Sequence, residues 1–199
     1  LYPADTAKNA EVQALVKEFS LDEGVGIGEN FGTSMAGLST QMLAYLLCKR
    51  PLWTVIWDYL TKHPSRDRVP IFILVRILGK PPGSKYRQFV SSVAKGMVFI
   101  EKKLSHSNGF IAGDYSAADV LLAQLFHRLE ITAFHKVLQS DQFPNIKLYW
   151  PRLQQRESYK LGILDFEEEE WRECKEALYG EDENPDIGHF WSEVNRFRE

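Results

Sequence analysis

The sequence predicts an all-α protein, and three observations carry that prediction. Residues 84–104 place Tyr86, Phe89, Val90, Val93, Met97, Ile100 and Leu104 at alternating steps of three and four, which is the period of a helix with one apolar face. Ser116 is followed three residues later by Asp119, a capping-box spacing, and then by the apolar run Val120, Leu121, Leu122, Leu125, Phe126 and Leu129. No run in the chain makes a convincing strand, and Pro and Gly punctuate its apolar stretches.

Taken in order, Asp5 or Thr6 caps a first helix whose apolar positions Val12, Leu15, Val16 and Phe19 keep the 3.6 period. It ends near Ser20–Glu23. Gly24, Gly26, Gly28 and Gly32 crowd the next nine residues and mean turn or loop. A phosphate-cradling loop needs a strand before it and a helix after it. No strand precedes this one, so no nucleotide site is expected. Ser34 starts a second helix with Met35, Leu38, Met42 and Tyr45 on one face, and Lys49 and Arg50 suit its C-terminal dipole.

Pro51 ends that helix or opens the next, which carries Leu52, Val55, Ile56, Tyr59 and Leu60 with Trp53 and Trp57 adjoining, and stops at His63-Pro64. Residues 64–69 read as a charged loop. Pro70 opens a short apolar helix, Ile71 to Leu78, closed by Gly79 and Pro81-Pro82-Gly83. A buried strand is the alternative for Ile71–Val75, and the flanking Pro and Gly favour helix. On the long helix 84–104, Gly96 marks close packing by a neighbour.

Ser105–Gly109 is a turn, and the capped helix follows. It is apolar around most of its circumference, with Gln124, His127 and Arg128 on one narrow stripe, so it is central and buried. Residues 145–156 form the next helix, with Pro151 inside it, and a kink or early stop is expected there. Glu167–Leu178 reads as a surface helix with Trp171, Cys174 and Leu178 inward. Glu181–Pro185 is an acidic break, and Ile187, Phe190, Trp191, Val194 and Phe197 make a last amphipathic turn or two.

The 199 residues suit one domain with a sizeable core, 44% hydrophobic and 26% charged, with a net charge of −3. Cys48 and Cys174 are too few for a disulfide scaffold, so a reducing compartment is expected. None of the five histidines (His63, His106, His127, His135, His189) has a zinc spacing, and no metal is expected. No apolar run reaches the roughly 20 residues that span a bilayer. The charge is segregated. Residues 49–103 hold twelve Lys and Arg against Asp58, Asp67 and Glu101, while residues 165–183 hold ten acids against Arg172 and Lys175. The basic segment could meet an anionic membrane surface or an acidic protein, or be a solvated face. No nucleic-acid partner is expected.

The order Phe110-Ile111-Ala112-Gly113-Asp114, then Ser116 to Asp119, then an apolar helix resembles the α-helical C-terminal domain of glutathione transferases. Leu1-Tyr2-Pro3 looks like the linker into that domain. Phe143-Pro144-Asn145-Ile146 through Trp150 and Arg152 to Tyr159 looks like its next helix and the turn beyond. The resemblance is carried by residues 84–164 and by 1–20. Pro151 departs from the family pattern, and residues 24–83 are longer than the usual connection between the first two long helices.

The resemblance implies a helical bundle over residues 1–199, with 1–3 as linker, 24–83 as an insertion and 165–199 as an acidic helix and tail. The thioredoxin-like half that holds glutathione and activates its thiol is expected to be absent, because no βαβ pattern and no Cys-x-x-Cys occur. A chain that opens on a linker reads as a domain cut from a longer one. The implied role is co-substrate binding in glutathione conjugation, reductive dehalogenation or isomerisation of a hydrophobic electrophile, by a cytoplasmic homodimer. No catalytic residue is expected in this chain, and Phe31, Met35, Tyr45 and Trp53 are candidates for the pocket wall. Ser116 and Asp119 are the structural cap. Arg76, which interrupts an apolar run, would pair with an acid, meet an anion or snorkel. Cys48, among Lys49 and Arg50, reads as a half-buried thiol or, less simply, a reactive one. The alternative is a non-catalytic protein- or membrane-interaction module, favoured by the basic insertion, the acidic tail and the missing active-site half; longer connections also occur in relatives that act at mitochondrial or other membranes.

Overall fold

The computed structural model describes residues 1–21, 25–62 and 69–199, with the Ile71 side chain left aside. Among the described residues the regular structure is helical. The only β-type pairings among these residues are isolated bridges, Phe110 with Gly113 and Ala112 with Asp114. Helix α1 is Thr6–Phe19, α2 Phe31–Leu38, α3 Thr40–Cys48, α4 Leu52–Lys62, α5 Val69–Leu78 and α6 Gly83–Ser105. Then follow α7 Ala117–Ile131, α8 His135–Leu138, α9 Pro144–Gln154, α10 Glu157–Gly162, a 3-10 turn Leu164–Phe166, α11 Glu169–Tyr179 and α12 Ile187–Arg198.

Helix α7 is the centre. Leu122, Phe126 and Leu129 are fully buried, and the carboxylate of Asp119 is buried with them. It is stable there because four donors converge on it. The Ser116 N–H and hydroxyl reach one oxygen at 2.8 Å each; the Ile111 N–H at 3.0 Å and the Tyr149 hydroxyl at 2.6 Å reach the other. The capping box therefore also fastens the 110–114 turn and α9 to the helix start. Burial and the neighbouring Asp119 charge hold the Tyr149 hydroxyl well above its usual range, so it stays a donor.

Around α7 one core takes residues from α1, α2, α6, α9 and α12. Helix α12 is a fuller element than one or two turns. It runs for 12 residues, packs along α6, and buries Phe190 and Val194 in that core. Pro151 lies inside α9 on its exposed side, and the helix continues to Gln154. A proline facing solvent gives up one hydrogen bond at a place where water can serve the freed carbonyl.

The stretch expected as one helix from Ser34 is two. Asn30 caps α2 through its side chain, which accepts the Thr33 N–H at 2.8 Å, and the chain breaks at Ser39 before α3. Residues 69–78 are helical, as the flanking Pro and Gly imply, and Pro70 sits in the first turn where its missing N–H is not needed. Residues 63–68, with most of the expected charged loop, lie outside the described residues, as does Gly24 of the glycine-rich turn. The span 24–83 divides in two. Helix α2 is core, whereas α4 and α5 pack on each other, and α5 on α3.

A second, smaller cluster joins Met42, Ala133, Cys174 and Tyr179, and seats α11 against α3. Trp171 packs against it and Cys174 is buried in it, but Leu178 is exposed and Tyr179 takes the inward place. The acidic and basic segments meet here at the surface, Lys49 lying 3.5 Å from Glu173.

Candidate functional site

The main groove runs across α6. Its first half, about 610 Å³, lies between α1, α2 and α6; Leu15, Phe31 and Phe99 are among its apolar lining residues. Its second half, about 630 Å³, lies between α6 and α12. Gly28, Ser92 and Lys95 line both halves, so they form one surface divided by the 27–28 turn.

Glycines make the geometry. A Cβ on Gly96 would stand 2.1 Å from Phe31 Cδ2, and one on Gly37 would stand 2.4 Å from Phe89 Cγ. Each helix thus receives a ring of the other where it has no side chain, and α2 lies flat on α6. The close packing expected at Gly96 is therefore present. Gly28 has φ +93°, which favours glycine, and its N–H donates to Thr33 Oγ1 at 3.2 Å. Glu18 accepts the Phe31 N–H at 3.0 Å, and the Asn30 amide donates to the Lys17 and Ser20 carbonyls. The end of α1 is thereby tied to the start of α2, and the first half of the groove keeps its shape.

Charge lines the groove. Glu11, Glu18, Glu29, Lys95 and Lys103 line the first half, with Lys103 paired to Glu11 at 2.6 Å. The second half holds Lys85, Arg87, Lys95 and Arg196, with Arg87 paired to Asp186 at 3.2 Å and Arg196 to Glu193 at 2.6 Å. Ser91 Oγ lies 3.0 Å from His189 Nε2 there and donates to the Arg87 carbonyl at 2.9 Å. That leaves the imidazole as donor to the serine, the wrong polarity for a base that activates it. Among the described residues no group of three His, Cys, Asp or Glu is placed to hold a metal.

Of the four candidate wall residues, Phe31 lines the groove. Met35 is fully buried in the main core. Tyr45 packs against the small cluster with Lys49 Nζ 4.8 Å over its ring. Trp53 is exposed on α4. Only Phe31 is thus on this surface, and the four do not converge. Ser92, Lys95, Phe99 and His189 were not singled out from sequence. They lie on the face of α6 opposite its apolar stripe, or on α12, and only Gly96 hinted that something crosses α6 there.

The other noted residues have structural partners. Arg76 donates to the Arg50 carbonyl at 3.0 Å, stapling α5 to the α3–α4 corner. The exposed Cys48 lies 3.7 Å from the Arg76 carbonyl. His127 Nδ1 lies 3.0 Å from the Tyr159 hydroxyl, the hydrogen-bonded place expected of it. Burial pulls His127 below its ordinary value against the opposing pull of Glu167 and Glu130, and burial pushes Tyr159 up to about 12.

A capped, buried central helix packs with α9, which returns to the cap, and shares one core with the long α6. Residues 75–157 match the family model described as glutathione S-transferase, C-terminal domain. No curated protein and no solved structure matches the chain. The match takes in α6 and the capped helix. The α1, α2 and α12 walls of the groove lie outside it.

Proposed function

We propose that this chain is the co-substrate-binding helical domain of a glutathione transferase-like enzyme. The family match over residues 75–157 carries the reading. The groove across α6 supports it, because apolar Leu15, Phe31 and Phe99 lie there beside Lys95 and Lys103. Glu11, Glu18 and Glu29 line it as well, so it is a lining for an apolar molecule with a polar end.

In this reading Phe31 forms the floor of the ligand groove and Met35 backs it, while Tyr45 and Trp53 serve elsewhere. Glutathione, the second substrate, is held mainly by a thioredoxin-like half outside these residues, which also activates the thiol. The chain's own share is to bind and orient the electrophile for conjugation, dehalogenation or isomerisation, within a cytoplasmic homodimer.

The experiment is binding of a hydrophobic anionic dye, anilinonaphthalene sulfonate, displaced by 1-chloro-2,4-dinitrobenzene. Ser92 lines both halves of the groove. Ser92→Trp should abolish binding and displacement with the melting midpoint kept. Equal binding by Ser92→Trp sinks the assignment to this groove.

A further inference from the structure

None of the described side chains of α4 and α5 belongs to the main core. Among their described side chains only Val55, Val69 and Val75 are buried. Trp53 is 80% exposed, Trp57 67% and Ile77 64%, and Leu60, Leu74 and Leu78 are exposed with them. Trp53, Trp57 and Leu60 follow steps of four and three, one stripe of α4. Leu74, Ile77 and Leu78 form one stripe of α5. A shallow groove of about 470 Å³, lined by Leu60 from α4 and by Ile73, Leu74 and Ile77 from α5, joins the two stripes into one surface. Isolated apolar side chains on a surface need no reason; a continuous apolar surface built from two helices does.

The charge on this lobe is mainly positive, with Glu173 of α11 reaching Lys49 at its edge. Lys49, Arg50, Lys62, Arg76 and Lys80 lie on or next to it, and Asp58 is the sole acid in residues 39–62 and 69–85. Asp58 is itself taken up by Lys62 at 2.8 Å and by Arg50, whose hydrogen bonds hold its carboxyl below the usual range. A second copy meeting this lobe face to face would set cations against cations. Indoles and aliphatic side chains rimmed by Lys and Arg are the composition that settles at a lipid headgroup layer. The helices have 11 and 10 residues, about 15 Å each at the α-helical rise, against about 30 Å of hydrocarbon. No described helix is long and apolar enough to cross a membrane. The lobe can therefore lie on a bilayer and not span it.

We propose that the α4–α5 lobe docks on a bilayer surface containing anionic phospholipid. Trp53, Trp57, Ile77 and Leu78 enter the headgroup–acyl boundary, and the flanking cations stay at the phosphates. This is independent of the transferase reading, since the lobe shares no lining residue with the groove across α6.

The test mixes the whole chain with unilamellar vesicles of phosphatidylcholine alone, or with about 30% phosphatidylserine, and reads the sedimented fraction and tryptophan emission. The variant Trp53→Ser/Trp57→Ser removes two exposed rings, and Leu148→Ser, exposed on α9, is the control. Expected are binding to the phosphatidylserine vesicles that weakens with salt, a blue shift, a roughly tenfold lower partition for the double variant, and none of that loss for the control. No sedimentation of the wild-type chain, or equal partition of the double variant, overturns the proposal. So does a wild-type dimer in vesicle-free buffer that the double variant turns into monomer, because then a second copy covers the face.

Discussion

The ring of Phe31 lies on the bare backbone of Gly96, so near that a Cβ there would stand 2.1 Å from Cδ2. One fully buried ring on α2 and one absent side chain on α6 set how closely these helices approach, and so set the floor of the groove. Gly96→Ala should therefore destabilise the domain by about 1–3 kcal/mol through overpacking, despite alanine's better helix propensity. Phe31→Leu in the same chain should recover part of the loss in a denaturant titration. A Gly96→Ala protein as stable as the parent would mean that α2 does not rest there.

Asp119→Ala should cost more than a surface cap. The usual loss is about 1 kcal/mol, but here the Ile111 N–H, the Ser116 N–H and the Tyr149 hydroxyl also lose their acceptor in a buried place. About 3 kcal/mol is expected in the unfolding free energy, and Tyr149→Phe added to Asp119→Ala should cost little more. Additive losses would show that the two side chains do not share one network.

The pH dependence of stability has a definite sign at His127. Burial lowers its folded-state value from 6.5, so the unfolded chain takes up the proton first as pH falls. Stability from this group is present above about pH 6.5 and is lost on going down towards the folded-state value. His135, also lowered mainly by burial, acts in the same direction. Melting midpoints compared at about pH 7.5 and 5.5 should fall, and His127→Gln should reduce the fall.

The two thiols should differ in rate. Cys48 is exposed, whereas Cys174 is buried with its thiol pushed up to about 11 by burial. A thiol reagent such as dithionitrobenzoate should titrate Cys48 in the native protein and Cys174 only on unfolding. Two equal fast thiols would contradict the seat of α11 on α3.

Much of the fold was legible because it depends on neighbours in sequence. The Ser116–Asp119 box and the apolar stripe of α6 are patterns of three and four residues, and both stand where those patterns place them. The candidate groove was less legible because its residues meet only after packing. Gly28, Lys95 and His189 are far apart in the chain, and none sits in a local pattern that marks a site. Met35 and Trp53 show the limit directly. Both are large apolar residues on short helices, yet one is fully buried and the other 80% exposed. The break at Ser39 and the independent packing of α4 decide that, and neither is written in the helical period.

The Phe190 ring stands 5.9 Å from that of Phe134 and 6.5 Å from that of Phe143, within the core that surrounds α6 and α7. Asn184, fully buried just before that helix, donates to the Thr132 carbonyl at 3.0 Å and to the Tyr86 hydroxyl at 3.1 Å. The last residues of the sequence are thus needed to close its middle. During synthesis the emerging polypeptide must wait, with one flank of its longest helix open, until residues 184–198 leave the ribosome. Any intermediate that lacks residues 184–194 will show that flank to solvent.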